Sequence, residues 1–103
     1  MSQSTFWVQF ESVHFPCIFD SASQVNIISF DQFQTIQNST QKRFELQPVN
    51  DIFFSIDSKI LDFHGFFYPK LRVASNIISA KVLVSRRAIH NPILNLPTYL
   101  ALQ

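Results

Sequence analysis

Residues 16–29 read PCIFDSASQVNIIS. An apolar run ends on Asp20, three small residues follow (Ser21, Ala22 and Ser23), and a second apolar run opens at Val25. A carboxylate placed directly after Cys17-Ile18-Phe19 is costly if buried, unless it is paired, hydrogen-bonded or neutralised. The plainest reading is a turn aspartate at a strand end, bonded to its own backbone as in an Asx turn. The turn is also made without glycine. The whole chain has a single one, Gly65, so positions needing a positive φ are expected to fall to Asn and Asp: Asn50-Asp51, Asn76 and Asn91.

Outward from that stretch the dominant period is two. In TFWVQFESV, Phe6, Val8 and Phe10 share one face and Gln9 and Glu11 the other. In NIISAKVLVSRR, Ile78, Ala80, Val82 and Val84 alternate with Ser79, Lys81, Leu83 and Ser85. The segment KILDFHGFFYPKLRVA reads as one long strand or two, bent near His64-Gly65 and interrupted at Pro69. Such alternation predicts half-buried strands of a mainly antiparallel sheet. Pro69, which cannot donate to a ladder, belongs at an edge or a bulge. Helix is predicted in two places only. SFDQFQTIQ has Ser29 followed three residues later by Gln32, a capping box, with Phe30, Phe33 and Ile36 on one side. NLPTYLALQ has Pro97 at an early helical position, although this tail also reads as extended. NSTQKRFELQPVND is polar and turn-rich, a loop or an exposed hairpin. The economical architecture is all-β, a closed or partly closed barrel with one or two short helices.

Composition narrows the function classes. The 103 residues suit one domain, 1–103, and a 47% hydrophobic content with twelve Phe is ample for a core. A net charge of +1 leaves no basic footprint for nucleic acid. One cysteine cannot close an internal disulfide, and no Cys/His pattern has metal-ligand spacing, so neither a metal nor a cofactor is expected. No signal peptide and no membrane-length apolar run is found, which places the protein in the cell interior, in the cytoplasm. The sequon Asn38-Ser39-Thr40 therefore reads as a polar loop. His14, His64 and His90 are scattered and read as structural. Cys17 reads as a small buried hydrophobe rather than a nucleophile. Arg86-Arg87 reads as a solvated basic pair.

The order of apolar strand, Asp-Ser-Ala-Ser, apolar run and Ser-capped short helix resembles the active-site segment of retropepsin-like aspartic proteases. The form IFDSASQVNIIS is most similar to the protease segment of BEL/Pao-type LTR retroelements. The later GFFYPKLRVASNIISAKVLVSRRAIHNPILNLPTYLAL is similar to the retroelement pattern of a Gly, two long strands and a closing segment. The resemblance implies a retropepsin-like acid-protease β-barrel that pairs with a second copy of itself and cleaves a peptide or polyprotein. Asp20 is then the catalytic residue, one per chain, with Ser21, Ala22 and Ser23 as the active-site loop. Two carboxylates meeting at a two-fold axis share a proton, one serving as base on water and the other as acid toward the peptide carbonyl. The resemblance also implies a flap over residues 53–63, with its tip at Ile56, Asp57 and Ser58, closing over a substrate bound as an added strand.

The sequence departs from that family in three places. Ala22 stands where a Gly is usual, strained if the position has a positive φ and crowding the cleft if it does not. The flap stretch has no Gly. Asn95 stands where the closing turn has Gly, and Asn is the best non-Gly residue for the left-handed region. These departures keep open a catalytically silent domain of the same fold, serving dimerisation or peptide binding, and an unrelated β-barrel binding module. Met1 on a lone domain fits both a polyprotein fragment and a host-adopted gene.

Overall fold

The computed structural model describes residues 4–54 and 60–103. Strands β1 (Thr5–Phe10) and β2 (Val13–Phe19) form a hairpin with unbroken register from Thr5↔Ile18 to Phe10↔Val13. The period-two pattern sends Val8, Phe10 and Cys17 inward, each fully buried, and leaves Trp7 on the outer face at 63% exposure. After the Asp20 loop come β3 (Asn26–Ser29) and helix α1 (Phe30–Ser39). A two-stranded ribbon of β4 (Phe53–Phe54) and β5 (Ile60–Leu61) follows, then β6 (Phe63–Phe67), β7 (Lys70–Val73), β8 (Asn76–Ser79) and β9 (Val82–Ser85). The chain closes with β10 (Ile93–Leu94) and helix α2 (Leu96–Ala101).

Eight of these strands form one curled half-barrel sheet in the order β6-β9-β3-β10-β2-β1-β7-β8. The predicted mainly antiparallel character holds, with two exceptions at the centre: β3 runs parallel to β9 and β10 parallel to β2. The alternation read over residues 76–87 falls on two strands, β8 and β9, and the half-buried expectation is corrected for β9, where all four residues are buried, Leu83 and Ser85 as well as Val82 and Val84. Its position contributes: β9 is paired along both edges, by β3 and β6, and α1 packs on it as well.

Helix α1 packs against β2, β3 and β9. Its predicted capping box is formed: the Gln32 N–H donates to Ser29 Oγ (3.1 Å), and Gln32 Oε1 accepts the Ser29 N–H (2.8 Å). Phe33 and Ile36 enter the core, and Phe30 lies half-buried against the His64 ring, centroids 4.5 Å apart. The Phe67 ring meets Phe33 and Phe44 edge to face at 4.9 and 5.3 Å. The loop after α1 is less exposed than its polarity suggests, because Phe44 and Leu46 pack against the core. Pro69 is buried in the short link between β6 and β7, where its carbonyl accepts the Ala80 N–H.

Positive φ values fall elsewhere than expected. Among the described non-glycine residues they occur at Glu11 (56°) and Ala74 (54°), not at Asn50, Asp51, Asn76 or Asn91. Glu11 turns the β1–β2 hairpin in this conformation because β7 holds it from both sides. Its N–H donates to the Lys70 carbonyl (2.9 Å), and its carboxylate accepts the Lys70 N–H (2.6 Å) and meets Lys42 Nζ at 3.4 Å. A charge-assisted bond of this kind offsets the left-handed penalty of about 1–2 kcal/mol.

Gly65 sits at φ 151°, where β6 shifts register against β9, so the predicted bend at His64-Gly65 is present as a bulge. A Cβ here would lie 2.6 Å from the Gln47 carbonyl oxygen and 2.8 Å from Leu46 Cβ. The close approach is the backbone bridge between Gln47 and Phe66, made by bonds of 2.9 and 2.8 Å. Gly65→Ala is therefore predicted to cost about 2–4 kcal/mol. Urea unfolding measures it, and a loss under about 0.5 kcal/mol contradicts the packing described.

Cys17 is a core residue, as read from the sequence. Burial pushes its thiol from its ordinary value of 9.0 up to about 12, against a smaller opposing effect of the Val8 backbone. The folded protein then holds the neutral thiol while the unfolded chain loses its proton near 9. The stability this contributes is complete below that pH and is lost as pH rises toward 12. A thiol reagent at pH near 8 should label the protein only in urea, and Cys17→Val should remove its share of the alkaline loss. Labelling of the folded protein would contradict the burial.

Candidate functional site

Asp20 is held at the carboxyl end of β2 by the strand that lies beside it. Its N–H donates to the Leu94 carbonyl (3.0 Å), and two residues earlier the Ile18 N–H donates to the Pro92 carbonyl (2.8 Å). Strand β10 thus fills the gap between β2 and β3, the two strands that flank the Asp20 loop. Within the loop, Asp20 Oδ1 accepts the Ala22 N–H (2.9 Å) and the Asp20 carbonyl accepts the Ser23 N–H (3.1 Å). Ser23 Oγ in turn donates to the Val25 carbonyl (2.6 Å). The Asx turn expected from composition is therefore present, and it fixes the carboxylate rather than competing with a functional role.

Asp20 is exposed in the isolated chain and lines a cleft of about 570 Å³. Ala22, Ser23, Ile27 and Ile93 form the wall next to it. The lining also includes Leu61 and Phe63 from β5 and β6, Ser85 at the end of β9, and Arg87 and Ile89 from the segment after it. A second space of about 390 Å³ adjoins it, between the loop at Ala22 to Val25 and the residues Ile52, Phe53 and Leu61. Of the loop residues named from the sequence, Ala22 and Ser23 line the cleft, whereas Ser21 is exposed outside the lining. The chemistry of the lining is mostly apolar with one acidic side chain, suited to an extended peptide and to general acid–base work at a single point. Among the described residues no group of His, Cys, Asp or Glu is arranged to hold a metal ion.

The segment proposed as a flap has paired arms, Phe53 opposite Leu61 and Phe54 opposite Ile60. The tip residues Ile56, Asp57 and Ser58 lie outside the described residues. Ala22 is not among the residues with positive φ. Of the two expectations for it, backbone strain is thus excluded and crowding of the cleft by its methyl remains. Asn95 is likewise not left-handed: φ −79° and ψ 170° place it in the extended region as the N-cap of α2, with its Oδ1 accepting the Thr98 N–H (3.1 Å).

Two residues support the site in roles that the sequence reading missed. Asn26 is buried and joins three segments. It donates to the Lys81 carbonyl (3.0 Å) and to Thr98 Oγ1 (2.8 Å), and accepts the Asn95 N–H (2.9 Å). Gln32, read only as a helix cap, also donates from Nε2 to the Ile89 and His90 carbonyls (3.3 and 3.1 Å), pinning the cleft wall to α1. The signal for Asn26 is weak but present: a lone amide inside the apolar run Val25 to Ile28 needs partners.

No protein-family model matches the sequence, and no curated protein matches it. Solved structures do match the fold. The EIAV protease complexed with the inhibitor HBY-793 superposes with a TM-score of 0.68 at 12% identity, over 96% of this chain and 86% of that one. A retropepsin-like aspartic protease from Rickettsia conorii gives a TM-score of 0.59 at 8% identity, over 91% of this chain and 65% of that one. The curled eight-stranded half-barrel with its two short helices is thus a retropepsin-like fold.

Proposed function

We propose that residues 1–103 are a single retropepsin-like domain that cleaves peptide bonds as a homodimer, with one Asp20 from each chain. The observation that carries this reading is the placement of Asp20: fixed by the Leu94 carbonyl and its own Asx turn, on the wall of a cleft that β5 and β6 also line. One carboxylate per chain cannot act as acid and base at once. Two brought together hold a proton between them. The ionised one takes a proton from water as its oxygen attacks the peptide carbonyl, and the protonated one donates to the carbonyl oxygen. Ser21, exposed beside Asp20, is available to the partner chain, and the hairpin with its tip at Ile56, Asp57 and Ser58 serves as the flap over a peptide or polyprotein substrate. The Asp-Ser-Ala-Ser-Gln form supports a retroelement origin of BEL/Pao type. The reading needs no cofactor, metal, nucleic acid or membrane, and a cytoplasmic setting suits it. Among the described residues no helix is long and apolar enough to cross a membrane.

One observation favours a second reading, a silent domain of the same fold that dimerises or binds peptide. The Ala22 methyl lies in the lining of both spaces beside Asp20, where it takes room that a substrate backbone would use.

Asp20→Asn is predicted to abolish cleavage of an extended peptide, which in the wild type is fastest at acid pH, while leaving the circular dichroism spectrum unchanged. Turnover surviving in that variant would sink the assignment. Ala22→Gly separates the two readings: a silent parent that gains protease activity on this change supports the second, and a parent that already cleaves excludes it.

A further inference from the structure

Resting on the peptide-cleft reading above, we infer that Arg87 makes this cleft select peptides carrying an acidic side chain at one defined position per chain, and so at a pair of positions related by the two-fold axis of the dimer. Among the described lining residues Arg87 is the cationic group and Asp20 the anionic one, the rest being apolar or neutral. The two adjacent arginines are set apart by their surroundings. Arg86 turns to β6, with Nε 3.2 Å from Asp62 Oδ2 and a terminal nitrogen 3.4 Å from His64 Nδ1. Arg87 is held at its backbone, its N–H donating to Ser85 Oγ (3.0 Å), and its side chain joins the cleft wall.

The segment that carries Arg87 is not a free loop. Gln32 Nε2 donates to the carbonyls of Ile89 and His90, and Ser85 is itself buried at the end of β9. The backbone that carries Arg87 is thus anchored close on both sides in sequence, which limits the backbone entropy lost when the side chain binds. Beside apolar walls such as Phe63 and Ile89, a carboxylate meeting this fork makes charge-assisted bonds stronger than those of a neutral amide. An extended peptide advances about 3.3 Å per residue with side chains alternating between faces, so the preference falls on one position per Arg87 rather than on overall charge.

The test uses the full-length Asp20→Asn variant, which binds without cleaving, and short end-capped peptides in which Glu or Gln is placed at each position in turn. End-capping removes chain-terminal carboxylates as a competing source of the charge. The expected result is that Glu binds about tenfold tighter than Gln only at one position on each side of the two-fold axis, and that Arg87→Gln, added to the same variant, brings the two to parity. Arg86→Gln should leave the preference in place. Equal binding of Glu and Gln at every position would overturn the inference, as would a preference that survives Arg87→Gln or disappears with Arg86→Gln. Wild-type cleavage of the same peptides judges the protease reading separately. Glu-selective binding without any cleavage keeps the role of Arg87 and discards catalysis, whereas cleavage without selectivity keeps catalysis and discards the role of Arg87.

Discussion

The hydrogen bond from the Asp20 N–H to the Leu94 carbonyl is the constraint on which the site depends. It exists because β10, two residues long, occupies the slot between β2 and β3. A strand this short has too few ladder bonds to hold itself in place. Asn26 and Asn95 supply the remainder, tying β3 to the start of α2 and to the Lys81 carbonyl that precedes β9. The Asn95 side chain also donates to the Gln24 carbonyl (3.1 Å) inside the loop that follows Asp20. The buried Asn26 and the half-buried Asn95 thus tie the loop after Asp20 to the segments around it. Such networks are strong when every member is satisfied, and among the described residues no buried side-chain polar atom lacks a partner.

The cleft combines a stiff wall with a ribbon. Asp20 stands on the central sheet, where β2, β10 and β3 are cross-linked. Leu61 comes from a two-stranded ribbon that is not part of that sheet. The ribbon's described part has only two residues per arm, and a two-stranded hairpin is marginal by itself. This asymmetry suits the work proposed here: the carboxylate must not move, while the cover must admit and release a chain.

Much of the fold was legible in local pattern. The period of two indicated β1 and its inward face, and Ser29 with Gln32 indicated the start of α1 to the residue. The Asp20 turn was legible as geometry. What escaped the sequence depends on neighbours far along the chain. Alternation tells which face of a strand is buried but not which strand lies beside it, so the parallel pairs β3–β9 and β2–β10 were invisible. For the same reason β9 read as half-buried. Ala22 and Asn95 were judged by what glycine does elsewhere, yet neither takes a positive φ here. The second role of Gln32 was hidden because its Nε2 partners lie 57 and 58 residues away.

Glu11 carries a consequence for how the chain reaches this structure. Its left-handed turn is unfavourable alone and is offset only after Lys70, 59 residues later, has docked alongside. The β1–β2 hairpin, although local in sequence, therefore lacks a self-sufficient turn. Its final geometry is set by a long-range loop closure, which adds to the non-local character that slows β-rich proteins. The hairpin and β7 form a cooperative unit, so the strand leading to Asp20 acquires its last ordering from a segment made late in synthesis.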